Sequence, residues 1–563
     1  MQVVLKQELA KLIGTKKLAL FGVSDIDIES NNKVIVDLDQ FSIEKVKQLQ
    51  TILQEPTLTN TTFPLKDIQA WLSVLEEKTP KLRKLEHFKS ALIKFLINEQ
   101  GKRIFVKDIN DDDVWKCYRI TRIVYVPHEY MQRPHVVLTL VSRRFNILQE
   151  TKTEFYGSEV VGRTVPEILA KKGIFLETQE LRVNYLKEVE RFRQLYPLVG
   201  KQFLATGIGT DDIRDDEDHY RWDRTQKFDF DNHKCIIDIF KESDKSQDNR
   251  EGKIDLGAKF WKNPFTQDDE FEEDEPTRDT YKTKEEQEIE IPIHTYVVVF
   301  DLARHLRLSC HVNYLTEYVY DKTLSEKLVL PNDVKQLVQI LIEHKEGGFK
   351  DIIQNKAGGA IVLLSGKAGT GKTLTAEVFA ESKEKPLYSV QASQLGIEVA
   401  DLERELMEVL KRTARWKAIL LLDEADVYVH SRGNDLNQNA IVGVFLRVLE
   451  YHSSILFMTT NRPDIVDDAI ASRCIARIDY VYPDKEQQKQ IWRILADSSG
   501  FKLSAQVIDD FVEKNNNYSG RDIKNLLKLA NLKANAINKE IDVEIIEYVT
   551  KFNPTLQDKE SVV

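Results

Sequence analysis

Cysteine is scarce in this chain. The four present, Cys117, Cys235, Cys310 and Cys474, lie far apart and form no CxxC pair. Reduced thiols are therefore expected, and neither structural disulfides nor a zinc site. No apolar run reaches the ~18 residues that a membrane-spanning helix needs, so no membrane span is expected. A basic excess is absent as well. The formal net charge is −11, which argues against a general nucleic-acid coat but leaves room for a local basic channel. No internal repeat is visible. The opening MQVVLKQELAKLIG mixes acidic and basic residues among its apolar ones. It lacks the charged-then-apolar layout of a secretion signal, and a cytoplasmic protein is expected.

What is present is an ordinary globular balance, 42% hydrophobic and 30% charged over 563 residues, enough for about two to four domains. Residues 1–100 mix strand-like pieces (Lys17–Phe21, Lys33–Leu38) with a helical spacing of Leu82, Leu85, Phe88, Leu92, Phe95 and Leu96. Residues 101–325 form a β-rich domain. Arg103–Val106, Val114–Val126 and His135–Val141 are rich in β-branched and aromatic residues, and Thr178–Leu195 is helical in pattern. Acidic residues crowd Asp211–Asp218 and the loop 264–290. Such runs are expected to be solvated loops, with an electrostatic docking arm as the alternative. Strands resume at Ile291–Asp301 and Leu306–Val312. Residues 326–482 form an α/β unit, and 483–555 a helical one, where Ile491, Ile494 and Leu495, then Leu526, Leu527, Leu529 and Ala530, keep helical spacing.

The apolar run Ala360–Leu364 leads into Gly366, Lys367, Ala368, Gly369, Thr370, Gly371, Lys372 and Thr373, and then into a helix-like stretch from Leu374. Strand, glycine loop and helix in that order suit phosphate binding. Backbone N–H groups turn onto phosphate oxygens, and the helix N-terminus adds partial positive charge. Lys372 reaches the β- and γ-phosphates and Thr373 holds Mg²⁺ in such a loop, so a nucleoside triphosphate is the expected ligand.

Farther along, Ala418–Leu422 is a continuous apolar run that ends in Asp423, Glu424 and Asp426. It reads as a parallel strand buried on both faces. Ligands of such sheets lie at the carboxyl ends of the strands. There Asp423 can coordinate Mg²⁺ and Glu424 can deprotonate the attacking water. A third strand, Ser454–Thr460, ends in Asn461, an amide placed either to position water or merely to cap the strand. Arg473 and Arg477 follow. A planar, permanently charged fork suits charge developing on a transferring phosphoryl group, although surface ion pairs explain isolated arginines equally well.

With these elements in order, residues 326–550 resemble the AAA+ ATPase superfamily. Gly366–Thr373 matches Walker A, Leu420–Asp426 matches Walker B, Asn461 matches sensor 1, and Ser472–Arg473 matches the arginine-finger position. Arg477 matches the second arginine often found nearby, and Arg521 in the lid-helix motif Asn517–Ile523 matches sensor 2. Glu326–Pro331, Phe349–Ile353 and the VFLRVLEYHSSILFMTTNR block are similar to a little-studied fungal and bacterial branch. The resemblance implies an α/β fold: a five-stranded parallel αβα sheet with a helical lid, preceded by a mixed, β-rich N-terminal region. It implies ATP and Mg²⁺ as cofactors and a homo-oligomer, a hexameric ring in which Arg473 acts on a neighbour's ATP. One departure stands out. Where protein-threading rings carry an aromatic on the first pore loop, this chain has Ser393–Ala400 with Ile397 and Val399. The second candidate loop, His430–Asp435, is polar.

The first expectation for what hydrolysis drives is chaperone-like remodelling of a macromolecule, a protein recruited by the N-terminal region. The second is an ATP-gated assembly switch or scaffold, favoured by the missing pore aromatic. The third is nucleic-acid work, since Ser472-Arg473-Cys474 is similar to clamp loaders. Net acidity and the lack of a basic-aromatic stripe count against it.

Overall fold

The computed structural model describes residues 2–552 apart from 25–26, 29–32, 39–40, 56–57, 59–61, 77–78, 99–102, 108–113, 129–132, 145–146, 212–225, 239–258, 261–288, 344–358, 397, 431–435, 451, 453 and 515–517. The N-terminal part opens on a hairpin-like pair, β1 (Gln2–Lys6) and β2 (Lys33–Asp37), packed with helices Ile43–Leu53 and Thr62–Glu76. Lys17–Phe21 is not a strand. Thr15–Leu18 is α-helical and Ala19–Phe21 continues as a 3₁₀ turn that ends at Gly22. Leu18 and Phe21 are buried while Leu20 is exposed, so the apolar spacing is that of a helical turn and not a strand alternation.

Five antiparallel strands follow in the order β6-β5-β4-β3-β7: β3 (Ile104–Lys107), β4 (Trp115–Val126), β5 (His135–Arg144), β6 (Ile147–Tyr156) and β7 (Ile174–Leu176). β6 has no counterpart among the expected strands. Its polar sequence ILQETKTEFY fits an edge, where charged side chains discourage further pairing. Helices Glu86–Asn98 and Val165–Lys171 cover one face of this sheet.

The helix Gln179–Leu195, capped by Thr178, leads into a second antiparallel sheet. Its strands are β8 (Gln202–Thr210), β9 (Lys227–Ile237), β12 (Tyr296–Asp301), β13 (Leu306–His311) and β14 (Leu315–Glu317). β8 pairs with β9, β13 and β14, so the sheet closes on itself as a small barrel. Between β9 and β12, β10 (Lys259–Phe260) and β11 (Ile289–Glu290) pair with each other. The end of the expected 264–290 loop is therefore paired, while 264–288 and the acidic 212–218 fall outside the described residues. The strand expected over Ile291–Asp301 begins only at Tyr296. Its first residues bridge the two sheets, with Arg143 N–H donating to Pro292 O at 2.7 Å and His294 N–H to Arg143 O at 2.8 Å.

The third sheet is parallel throughout, in the order β16-β17-β18-β15-β19: β15 (Ala360–Gly366), β16 (Leu387–Gln391), β17 (Ile419–Asp423), β18 (Ile455–Thr460) and β19 (Ala476–Tyr480). Its apolar runs read continuously because successive side chains enter two different cores. Leu363, Leu420, Leu422, Leu456 and Met458 face helices Val399–Trp416 and Leu436–Leu449. Val362, Leu364, Ile419, Leu421 and Phe457 face helices Lys372–Lys383 and Asn332–Glu343. This is the three-layer αβα arrangement. A bundle of helices Lys485–Ser499, Ala505–Lys514, Gly520–Ala536 and Val543–Thr550 follows, around Trp492, Phe511 and Leu526. Among the described residues no helix is long and apolar enough to cross a membrane.

The barrel and the parallel sheet share a packed boundary. Phe300 of β12 lies against Trp416 and Tyr388, with ring centroids 4.9 and 5.5 Å away. Asp238, fully buried, receives Arg415 at 2.7 Å, with Arg307 at 3.8 Å. Glu381, near the C-terminus of the Lys372–Lys383 helix, accepts from Tyr318 (2.5 Å), Lys234 (3.1 Å) and the Asp321 N–H (3.1 Å).

Candidate nucleotide site

β15 delivers the glycine loop to the carboxyl edge of the parallel sheet. Gly371, the N-cap of the Lys372–Lys383 helix, has φ 104°, a left-handed value that side chains resist. At Gly369 (φ 80°) an added Cβ would stand 2.8 Å from Ser519 Oγ and Arg521 Cβ. The loop and the lid thus approach too closely for any side chain there. Around this turn Thr370 donates to Lys367 O at 2.8 Å, the Lys367 ammonium stands over the Tyr482 ring at 5.3 Å, Ala368 is exposed and Leu374 is half exposed.

Lys372 is almost fully buried. Its ammonium donates to Gly366 O (2.8 Å), Lys367 O (2.8 Å) and Asn461 Oδ1 (2.9 Å). Burial pushes its pKa below the usual lysine range. Asp423 and Asp426 pull it back up and Arg521 adds to the lowering. Thr373 points its hydroxyl at both oxygens of Asp423, at 3.2 Å each. A hydroxyl and a carboxylate side by side at the phosphate end are hard oxygen donors, the set that suits Mg²⁺, which is usually held by one or two carboxylates plus substrate phosphates. Glu424 follows, exposed, with φ 54°. Arg521 lies one residue into the Gly520–Ala536 helix, and its N–H approaches Gly369 O at 3.4 Å.

Lys372, Thr373, Asp423 and Asn461, named from scattered sequence positions, meet here as two directly hydrogen-bonded pairs, Lys372 with Asn461 and Thr373 with Asp423. Arg473 and Arg477 are bonded elsewhere. Arg473 pairs with Glu450 (2.7 Å) and donates to Ala469 O (3.1 Å). Arg477 pairs with Asp479 (2.9 Å) and reaches Pro463 O (3.3 Å). Of the first pore-loop candidates, Ile397 lies outside the described residues. Val399 is the first residue of the Val399–Trp416 helix, partly buried against the sheet core, because that helix needs an apolar residue on its inner face there. Residues 431–435 of the second loop lie outside the described residues.

Three further polar residues belong to this group, none with a role assigned from sequence: Asp426, within the Leu420–Asp426 match, and Thr459 and Thr460. Asp426 accepts from the Thr460 hydroxyl and from Asn461 N–H (3.0 Å), which fixes the strand end that carries the amide. Thr459 donates to Asp423 at 2.5 Å and accepts the Glu424 N–H at 2.9 Å. The available signal was a pair of hydroxyls closing an otherwise apolar strand, immediately before Asn461.

Residues 362–481 match the family model described as ATPase family associated with various cellular activities (AAA). The chain is similar to a putative 26S proteasome regulatory subunit homolog of Methanothermobacter thermautotrophicus, 33% identical over 204 residues, covering 34% of this chain and 54% of the relative. It is similar also to the ATP-dependent zinc metalloprotease FtsH of Nitrosococcus oceani, 27% identical over 38% of this chain and 35% of the relative. A further relative is the human fidgetin-like protein 1, 28% identical over 30% of this chain and 27% of the relative. The chain thus spans about half or less of the length of these relatives. The parallel sheet with its glycine loop is thus the part of the chain that matches an AAA ATPase domain.

Proposed function

We propose that the chain is an Mg²⁺-dependent ATP hydrolase, assembling as a homo-oligomeric ring, that remodels a protein substrate recruited through its N-terminal region. The observation that carries the hydrolytic part is the bonded set Lys372, Thr373, Asp423 and Asn461 at one edge of a parallel sheet. Lys372 exchanges its carbonyl partners for β- and γ-phosphate oxygens, where an anion offsets the cost of keeping its charge buried. The loop N–H groups and the helix N-terminus hold the same phosphates. Thr373 and Asp423 would hold Mg²⁺, which supplies Lewis-acid neutralisation of developing phosphate charge. Glu424 takes the proton of the attacking water, and Asn461, tied to Lys372, orients that water beside the γ-phosphate. Arg521 closes the lid side. Arg473, whose partner Glu450 is a replaceable ion pair, is assigned to the ATP of a neighbouring subunit in a hexamer, with Arg477 beside it. The relatives named for proteasome regulation and proteolysis support a protein substrate.

The assembly-switch reading is favoured by one observation: Val399 is partly buried against the core, which withdraws part of the apolar surface the first pore segment could offer at that position. Mass measurement of Glu424→Gln with and without Mg-ATP tests both. A ring-sized species formed only with Mg-ATP, with steady-state hydrolysis lost, is the expected result. Retained hydrolysis removes Glu424 as base. A protein that stays monomeric with ATP bound removes the ring.

A further inference from the structure

We propose that Thr459 is the positioning residue for both catalytic acids, and that it sets the orientation of Glu424 for hydrolysis. This rests on the assignment of Glu424 as base and Asp423 as cation ligand. Thr459 sits on β18, directly beside β17, and is almost fully buried. A hydroxyl has one proton and two lone pairs. Here the proton goes to Asp423 Oδ1 at 2.5 Å, and the oxygen receives the Glu424 N–H at 2.9 Å. The Thr459 carbonyl in turn accepts the Ala425 N–H at 2.9 Å. One residue thus engages three consecutive residues of the acid-bearing turn.

The consequence lies in the backbone. Glu424 has φ 54°, a region a non-glycine residue occupies only when its surroundings impose it. The hydroxyl of Thr459 is what bonds its N–H. The β-branch of threonine restricts χ1 and so limits the directions open to the hydroxyl. On the other side, engaging Asp423 Oδ1 orients that carboxylate toward Thr373, which bridges both oxygens. Partners that orient a ligating carboxylate typically change metal affinity or activity when removed. The main-chain bond to Ala425 does not involve the hydroxyl, so an isosteric valine keeps the packing and that bond while removing both ties to the acids.

The full-length protein is compared with Thr459→Val, Thr459→Ser and Glu424→Gln by phosphate release, fluorescent ATP-analogue binding, Mg²⁺ titration and thermal melting. Thr459→Val is expected to lower kcat about 10–100-fold, to change KM for ATP far less, and to raise the Mg²⁺ concentration for half-maximal rate. Thr459→Ser, which restores the hydroxyl, is expected to recover most of kcat. Unchanged kcat in Thr459→Val overturns the inference, as does a serine variant that fails to rescue. If Thr459→Val does not fold, Thr459→Ala is judged by the same criteria, and loss of fold in both assigns the residue to stability alone. Wild-type turnover in Glu424→Gln removes the base assignment beneath the inference. An inactive Glu424→Gln beside an unaffected Thr459→Val removes the inference only.

Discussion

The parallel sheet of residues 360–480 and the barrel of residues 202–317 abut, yet they place their polar side chains differently. Along β15, β17 and β18 the buried interior is aliphatic or aromatic, and Ser365, Asp423, Thr459 and Thr460 gather at the carboxyl ends. In the barrel, buried polar groups sit within and between strands and bond to each other. Thr295 meets His311 at 3.0 Å, and Asp301 accepts the N–H groups of Ala303 and Arg304 at 2.9 and 3.2 Å. Nearby, burial alone would raise the Glu188 carboxyl. The hydrogen bonds of His311 and Asn313, with the charges of His311 and Lys66, together outweigh it and hold the pKa below the usual range. Parallel strands all point one way, so their ends collect on one edge and leave donors and acceptors facing a ligand. Antiparallel strands have no common end, and the barrel pairs Thr295 with His311 within itself while Asp238 and Lys234 bond to Arg415 and Glu381 beside the parallel sheet. The difference places the polar groups able to meet a nucleotide at the edge of the parallel sheet.

Three substitutions break or sharpen that contrast. The largest effect is expected inside the parallel sheet. Phe457, packed edge-on to Phe379 with centroids 5.0 Å apart, is fully buried. Phe457→Ala should cost about 3–5 kcal/mol, read as an earlier urea midpoint together with loss of ATP binding, because β18 also carries Thr459 and leads directly into Asn461.

At the boundary, Asp238→Ala leaves Arg415 and Arg307 without their shared carboxylate. A loss near 3 kcal/mol, at the low end for breaking a buried pair, should appear as separation of the barrel and ATPase unfolding transitions in calorimetry. A single unshifted transition would show that Phe300, Trp416 and Tyr388 hold the boundary without the ion pair.

The smallest effect is expected at the lid. Ser519 caps the Gly520–Ala536 helix, accepting Asp522 N–H at 3.2 Å and donating to the Asp522 carboxylate at 2.7 Å. Ser519→Ala should cost ~1 kcal/mol in thermal stability. It should also weaken ATP binding slightly through the neighbouring Gly369, whereas a shift in stability alone would detach the lid cap from the nucleotide loop.

Much of the ATPase region was legible because its chemistry is local. Glycines that permit the loop, a lysine and threonine at the start of the next helix, and acids at the end of an apolar run are adjacent in sequence. In the N-terminal half several strands and the helices near Leu82–Leu96 and Thr178–Leu195 were legible, but not how the strands pair. Its strand pairings join residues as far apart as Glu317 and Phe203, and edge strand β6 is polar enough to pass for a loop. Lys17–Phe21 was misjudged because its short apolar run, Leu18 to Phe21, is a pattern that a buried strand and a helical turn share.

By itself, the sequence determined the phosphate loop, the alternation of strand and helix around it, and the acids and amide that end two strands, since these follow from neighbouring residues and the period of a strand or helix. The tertiary structure alone decided that Thr459 faces Asp423 and Glu424, that Arg521 and Ser519 close over Gly369, and that Asp238 meets Arg415 across 177 positions of chain. Those contacts depend on which strands lie side by side and in what register. That choice is made by the whole core in packing its layers, and no local stretch of residues carries it.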